Sequence, residues 1–506
     1  MRTDKHERDA LDCQAPSPGR RCDRYSDMPT ILERLDSTPL TVLHALAALL
    51  CAVGFGIDLM EISIGNALSA VFSAPPYALP PRSLAWLLSS VYVGAVIGAP
   101  LLGWMADRRG VRRALMVTLL WLGLTSSLAA ASADPQWLAV FRFLSGVALG
   151  AYPPLMIAYL TSIAPPRYRG LVIFWVCGAA YLAPPAAVFA IRWLTPIHPF
   201  GIEGWRWPFA LAGVAALVVG VVFSRIPESA RWLLTMGRGE AAEGVCSRFE
   251  GSRPLWGRTS RDAPRTAGVG AEDSAGGRAR AVEFAVAHDN ASGELGLARD
   301  DSSGEPAVAT SGSAPGAQLK RHLAFVAALY FSAPWAIAAF PLLTGPILLA
   351  RGYNLTDTLL YIGLATFGPA VSTFTVGPLV DRIERRVSLS LCCALMLLAV
   401  GIFFALDGPV VLTIAVVSFS IGVGIYTAVL TMYGAELFST SSRARATSTA
   451  WAGNRIASVL VPFVMLPLLH QAGSLAVGAV ISVVLIGTIA LIAFWGPRGA
   501  AARAVE

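Results

Sequence analysis

The chain has 506 residues, of which 55% are hydrophobic and 14% charged, and its net charge is +7. Charge this sparse cannot cover a soluble surface, where roughly 25% is usual. The positive balance does not make a nucleic-acid surface, because the basic residues sit in short loops between apolar runs and act there as topology signals.

Residues 1–39 mix Arg, Asp, Glu and Pro and lack the short basic start and small-residue cleavage site of a signal peptide, so a cytoplasmic tail is expected. Twelve apolar runs follow, at 40–70, 84–105, 113–133, 136–160, 170–193, 207–225, 322–349, 357–380, 387–406, 409–436, 446–469 and 474–495. At about 20 residues each they can cross a hydrocarbon core of about 30 Å as helices. Helices are the expected spanning element, because in lipid every backbone polar group needs a partner within its own segment. Loops on one side hold Arg108, Arg109, Arg112, Arg113, Arg167, Arg169, Arg382, Arg385, Arg386, Arg443 and Arg445, and those on the other only Arg82, Arg192, Arg206 and Arg351. The richer set, and both termini with it, is expected in the cytoplasm. Lys5 and Lys320 are the only lysines, an Arg bias that hints at a bacterium and so at an inner (plasma) membrane.

Residues 226–321 form a cytoplasmic linker whose middle, 251–318, is rich in Gly, Ser, Ala and Arg and poor in aromatics. Such a stretch cannot bury enough apolar surface to fold alone and is expected to be largely disordered. It separates two six-run blocks, 40–225 and 322–496, and a short cytoplasmic tail, 497–506, ends the chain. The seven cysteines form no CxxC pair and read as free thiols packed like small hydrophobes. The six histidines show no metal spacing and no GxxxxGK[ST] nucleotide loop is present, so no metal, cofactor or ATP-driven chemistry is expected.

Both blocks carry a related loop after their second run, GWMADRRGVRR at 103–113 and GPLVDRIERR at 377–386. Gly103 and Gly377 would let a neighbouring helix approach closely. Asp107 beside Arg108, and Asp381 beside Arg382, can form ion pairs in one conformation and break them in another. A simple positive-inside cluster would explain the Arg but not a glycine and an aspartate repeated at fixed spacing. The loop resembles the GxxxDRxGRR signature of the major facilitator superfamily, with Val111 replacing an Arg in the first copy and Glu384 in the glycine position of the second.

RFLSGVALGA at 142–151, APPRYRG at 164–170, PESARWLL at 227–234 and YGAELFSTSSRARATS at 433–448 together resemble its sugar-porter-like group of sugar carriers, organic-ion carriers and metabolite–proton symporters. The resemblance implies an all-α membrane protein with twelve transmembrane helices in two six-helix bundles of inverted three-helix repeats, a midplane cavity, and rocking-bundle alternating access. It also implies that Asp107 and Arg108 latch the halves rather than bind cargo. Glu228 with Arg231, and Glu436 with Arg443 or Arg445, are either further gating pairs or ordinary juxtamembrane ion pairs. Ser162 stands where many sugar porters have Glu, and the seventh run lacks their paired glutamines, so sugar is not the favoured cargo.

Charges at membrane depth are costly unless paired or hydrated, which singles out four residues. Asp58 and Glu61 lie three apart on one helix, where one carboxylate raises the proton affinity of the other, an arrangement suited to reversible protonation. Arg142 opens the fourth run, and in related porters an Asp matching Asp58 can pair with an Arg matching Arg142. That pair is either a proton-driven switch or a fixed structural contact. Arg455, beside Asn454 in WAGNRIASVLVPF, has the planar fork that suits a carboxylate; its alternative is an internal pair with Asp58 or Glu61. Tyr92, Tyr330, Trp335, Tyr426 and Tyr433 either stack on a cyclic cargo or simply pack.

The expected activity is proton-coupled symport of a small organic, aromatic or heterocyclic, carboxylate by a monomer in the lipid bilayer. Asp58, Glu61 and Arg142 would serve the proton, and Arg455, Asn454, Tyr330, Trp335 and Tyr426 the cargo. A sugar or polyol porter is the runner-up. A non-transporting sensor is a further alternative, as is a membrane enzyme, although no nucleophile–base set is found.

Overall fold

A computed structural model describes residues 30–255, 315–380, 383–437 and 440–497, and the side chains of 315–319, 375–380, 435–436 and 440–450 lie outside the described part. Each expected run is helical. The first block has spans at Val42–Ser73, Pro81–Arg109, Val111–Ala130, Pro135–Ile163, Pro166–Leu194 and Arg206–Phe223. The second has Lys320–Ala350, Leu355–Ala365 continuing as Gly368–Val380, Arg385–Ala405, Pro409–Glu436 and Thr440–Trp495. Thr440–Trp495 holds two spans, because Gly473 breaks it with φ 81, a backbone angle that costs glycine little. Leu211, Leu398 and Val483 are 62%, 61% and 68% exposed, an apolar surface that fits lipid and not water.

Small residues set the closest contact inside the first block. Gly94 and Gly98 of the second span face Gly146 and Gly150 of the fourth. A Cβ on Gly146 would stand 2.9 Å from Val91 Cα, and one on Gly150 2.8 Å from Ala95 Cα. The glycines of RFLSGVALGA thus let two backbones meet, where dispersion and weak polar contacts replace the absent hydrophobic effect.

Among the described residues the blocks touch at the end of the bundle opposite Val42 and Trp495. Ser69 Oγ donates to the Leu342 carbonyl at 2.6 Å, and Ser89 Oγ to that of Val459 at 2.9 Å. The Trp86 and Phe463 rings meet edge to face at 5.1 Å. In the half nearer the termini, Phe374 of the eighth span packs against Phe174 and Trp175 of the fifth, with centroids 5.9 and 6.2 Å away.

The first part of the segment expected to be a linker is folded. Ala230–Thr235 and Gly239–Glu250 are helices that bury Leu233, Val245, Cys246 and Phe249 together with Leu35. Their partner is Ile31–Ser37, a helix in the expected tail that begins with a Thr30–Glu33 capping box. Arg34 donates to Glu243 at 2.6 Å and to both Glu250 oxygens at 2.9 and 2.7 Å. Val42 N donates to Arg253 O, and Leu255 N to Leu40 O, at 2.9 and 2.8 Å. Composition alone hides this fold because its apolar residues need the tail to cover them. The rest of the expected linker, 256–314, lies outside the described residues, as do 1–29 and 498–506.

The hydrogen bonds from Arg34 hold the Glu250 carboxyl below the usual carboxylate range. A lowered value means the contact stabilises the clamp above the ordinary Glu range and is lost as pH falls through the lowered one. Arg34→Ala is expected to speed amide exchange across Ile31–Ser37 at neutral pH, and acid to do the same in the unsubstituted chain. Equal exchange in variant and parent would show that apolar packing alone holds this helix.

Candidate functional site

The first span carries two chemically distinct strips. Asp58, Glu61 and Gly65, at spacings of three and four, turn toward the interior of the first block. Leu59, Ile62, Ser63 and Asn66 line a cavity between the blocks with a volume of about 310 Å³.

On the first strip, Glu61 and Arg142 are almost wholly buried, at 0% and 1% exposure, with Oε2 3.8 Å from Nη1. The Ser126 hydroxyl donates to Glu61, and the Arg142 guanidinium lies 5.7 Å from the centre of the Phe209 ring. Gly65 makes room for it, since a Cβ there would stand 3.0 Å from Nη2. The expected pairing of Arg142 with Asp58 is therefore corrected. Arg142 enters between Glu61 and Gly65, one turn beyond Asp58, so the nearer carboxylate takes it.

Asp58 is 2% exposed, and its Oδ1 has no hydrogen-bond partner among the described residues. Its electrostatic neighbours are Arg455, from the opposite block, and Glu61. Arg455 lies over the Trp451 ring at 5.0 Å, and its Nε has no hydrogen-bond partner among the described residues. Tyr92 of the second span lines the cavity and interacts with both Arg142 and Arg455.

Of the residues expected to meet cargo, Asn454 lines the cavity and is held by its amide, which donates to the Tyr330 carbonyl at 3.0 Å. Arg455, Tyr330, Trp335 and Tyr426 are not among the residues that line this cavity. Tyr330 supports Asn454 from behind and meets the Trp451 ring at 5.8 Å, Trp335 packs on Phe331 at 6.4 Å, and Tyr426 is 1% exposed in the core of the second block. Helical pattern alone does not say which side of a bundle helix faces a cavity. Ser63, Asn66 and Ser126 were missed, although a polar pair at 63 and 66 within an apolar run was the available signal.

At the end bearing the termini, Asp107 is exposed and its carbonyl accepts from Trp232 Nε1 at 3.1 Å, while Arg108 stacks on Trp104 at 4.6 Å. No described residue comes within 4 Å of where a Gly103 Cβ would be, so the close approach expected there is absent among them. Gly110 is the glycine this loop requires. Its φ is 98, and it leaves space for Glu228, whose Oε1 accepts from Arg112 N at 2.9 Å. Glu228 thereby caps the third span, a favourable place for a carboxylate.

Glu228 and Arg231 do not pair with each other, since Glu228 is taken up by Arg112, while Ser229 caps the helix that follows by accepting from Trp232 N at 3.2 Å. Arg231 instead pairs with Asp36 of the tail helix, which also meets Arg169 of the APPRYRG segment at 3.6 Å. The side chains of Gly377, Asp381, Arg382, Glu436, Arg443 and Arg445 lie outside the described residues.

This architecture, two six-span blocks around a cavity flanked by buried charge, is that of a polytopic helical membrane protein. The sequence matches the Major Facilitator Superfamily over residues 45–462, so the chain belongs to that superfamily, and its relatives place it in the sugar-porter-like branch. It is 29% identical over 234 residues to the arabinose-proton symporter of Bacillus subtilis, covering 44% of this chain and 49% of that one. It is 26% identical over 225 residues to the niacin transporter NiaP of Acinetobacter baylyi, again 44% and 49%. The chain thus spans about half the length of these curated relatives. Its fold is similar to a partially occluded inward-open structure of the xylose transporter XylE from E. coli, with a TM-score of 0.63 at 16% identity over 90% of this chain and 97% of that one.

Proposed function

We propose that this chain is a secondary active transporter that carries a small organic acid, aromatic or heterocyclic, across the bacterial inner membrane together with a proton. The observation that carries the reading is the pair of buried carboxylates, Asp58 and Glu61, on the span whose Leu59 and Ile62 line the cavity. An ionised group at membrane depth persists only with a partner or a task. Here one carboxylate is matched by Arg142 within its own block, while the other, Asp58, keeps an oxygen without a hydrogen bond among the described residues.

The cavity wall combines apolar surface from Leu59, Ile62, Pro184 and Pro341 with a few amides and hydroxyls, which suits a flat ring better than a polyol. Arg455, next in sequence to the cavity residue Asn454, supplies the charge and the two-point fork that a carboxylate needs. That one relative is a niacin transporter agrees with a heterocyclic acid as cargo. The excess of arginine in one set of loops supports cytoplasmic termini, and a monomer is the proposed working unit.

A second reading, a pentose porter, is favoured by the name of the arabinose symporter and by the hydroxyl and amide groups of Ser63, Asn66 and Ser458 in the cavity. Reconstituted vesicles with an imposed pH gradient separate the two. Nicotinate or benzoate is expected to accumulate against its gradient and to be released by a protonophore, while arabinose and xylose stay at equilibrium. Gradient-driven sugar accumulation without uptake of either acid would overturn the proposal.

A further inference from the structure

We propose that the second-block wall of the cavity accepts hydrogen bonds at Asn454 and the hydroxyls around it, so that the preferred cargo is an aromatic acid bearing a hydroxyl or N–H donor on its ring. The inference rests on the reading of the cargo as an organic acid and narrows its class, with Asn454 as the residue that selects it.

A proline commits Asn454 to this role. In a helix the Tyr330 carbonyl would accept from the N–H four residues on, but that residue is Pro334, which has none. Asn454 Nδ2 supplies the missing donor from the eleventh span, at 3.0 Å from Tyr330 O. A carbonyl only accepts, so this bond also fixes which end of the amide is which. The end left over is Oδ1, an acceptor, on a residue that lines the cavity.

The hydroxyls of the same wall are spent in the same sense. Thr344 gives its proton to Phe340 O at 2.7 Å, Thr366 to Gly363 O at 2.6 Å, Thr427 to Val423 O at 3.0 Å, and Ser458 to Asn454 O at 2.9 Å. Each of these hydroxyls keeps lone pairs but has already placed its proton. Ser420 is the hydroxyl of this wall that makes no such bond among the described residues. A cargo acceptor set against the other four must draw a proton away from a helix carbonyl, whereas a cargo donor adds a bond and breaks none. The first-block wall differs, because Ser63, Asn66 and Tyr92 donate to no described residue. A carboxylate, which only accepts, finds donors there and gains nothing along the threonines. A ring hydroxyl or N–H gains a bond at Asn454.

The test is equilibrium binding by titration calorimetry to the purified full chain in detergent. Sugar hydroxyls also donate, so the probes are acids that differ at one ring position: benzoate and its 3- and 4-hydroxy, amino, methyl and fluoro derivatives. Hydroxyl and methyl fill similar space, and only the hydroxyl donates. At one of the two positions the hydroxy and amino acids are expected to bind about three- to tenfold more tightly than the methyl and fluoro acids, the usual net worth of a neutral hydrogen bond. In Asn454→Leu that preference is expected to disappear while the methyl acid binds as it does to the parent.

Methyl acids that match or exceed the hydroxy acids at both positions overturn the inference even if no variant folds, since apolar contact then sets the preference. So does a hydroxyl preference kept in full by a folded Asn454→Leu, which places the acceptor elsewhere. If benzoate and all its derivatives fail to bind, the acid reading itself falls and takes the inference with it, an outcome distinct from the first two.

Discussion

Arg455→Ala is expected to weaken binding of the organic-acid cargo by about 2–5 kcal/mol, on the order of 30- to several-thousand-fold, the usual cost of removing one partner of a buried, charged hydrogen bond. Arg455→Lys keeps the charge but loses the planar two-point fork, so it should recover only part of the loss. The expectation is motivated by the burial of an Arg455 Nε that lacks a hydrogen bond among the described residues, one position in sequence from the cavity residue Asn454. The deciding measurement compares the acid with its neutral amide by titration calorimetry on the parent and on Arg455→Ala. Loss confined to the acid supports direct recognition. Equal loss of both ligands would make Arg455 a structural partner of Asp58 and return the pentose reading to first place.

The second large effect is on stability. Arg142→Ala is expected to destabilise the folded protein by about 3–5 kcal/mol, because it strands the fully buried Glu61 carboxylate without its counter-charge. Glu61→Gln should cost less, since the amide remains able to accept from Ser126. The double variant Arg142→Ala with Glu61→Gln should be more stable than Arg142→Ala alone, the sign expected when the penalty comes from an uncompensated charge. Thermal unfolding of the purified protein in detergent provides the measurement. A double variant no more stable than Arg142→Ala would show that the loss comes from the space around Phe209 and Gly65 and not from the charge.

The same pair shows where inference from the chain alone stops. Both carboxylates and both arginines are visible in the sequence as charges inside apolar runs, because their desolvation cost makes them conspicuous wherever they occur. Which carboxylate meets which arginine depends on the depth at which the first and fourth spans lock together. Gly54 against Tyr152 and Gly65 against Arg142, contacts between segments far apart in the chain, mark that depth. A shift of one helical turn would exchange Glu61 for Asp58 as the partner of Arg142. The aromatic residues show the same limit. Tyr92 and Tyr330 are alike in residue type and in their apolar surroundings, yet one lines the cavity and the other stands behind Asn454, because each helix in a bundle presents several partly buried faces.

The sequence by itself determined the number of spans, their division into two blocks, the superfamily and the identity of the buried charges. These follow from local properties: run length against membrane thickness, arginine counts in loops, and short motifs read in place. Tertiary structure decided the pairing of Glu61 with Arg142, the capping of the third span by Glu228, and the clamp of the tail helix on Gly239–Glu250. Each of those joins residues far apart in the chain through contacts a few ångströms long, and their geometry exists only once the helices have packed.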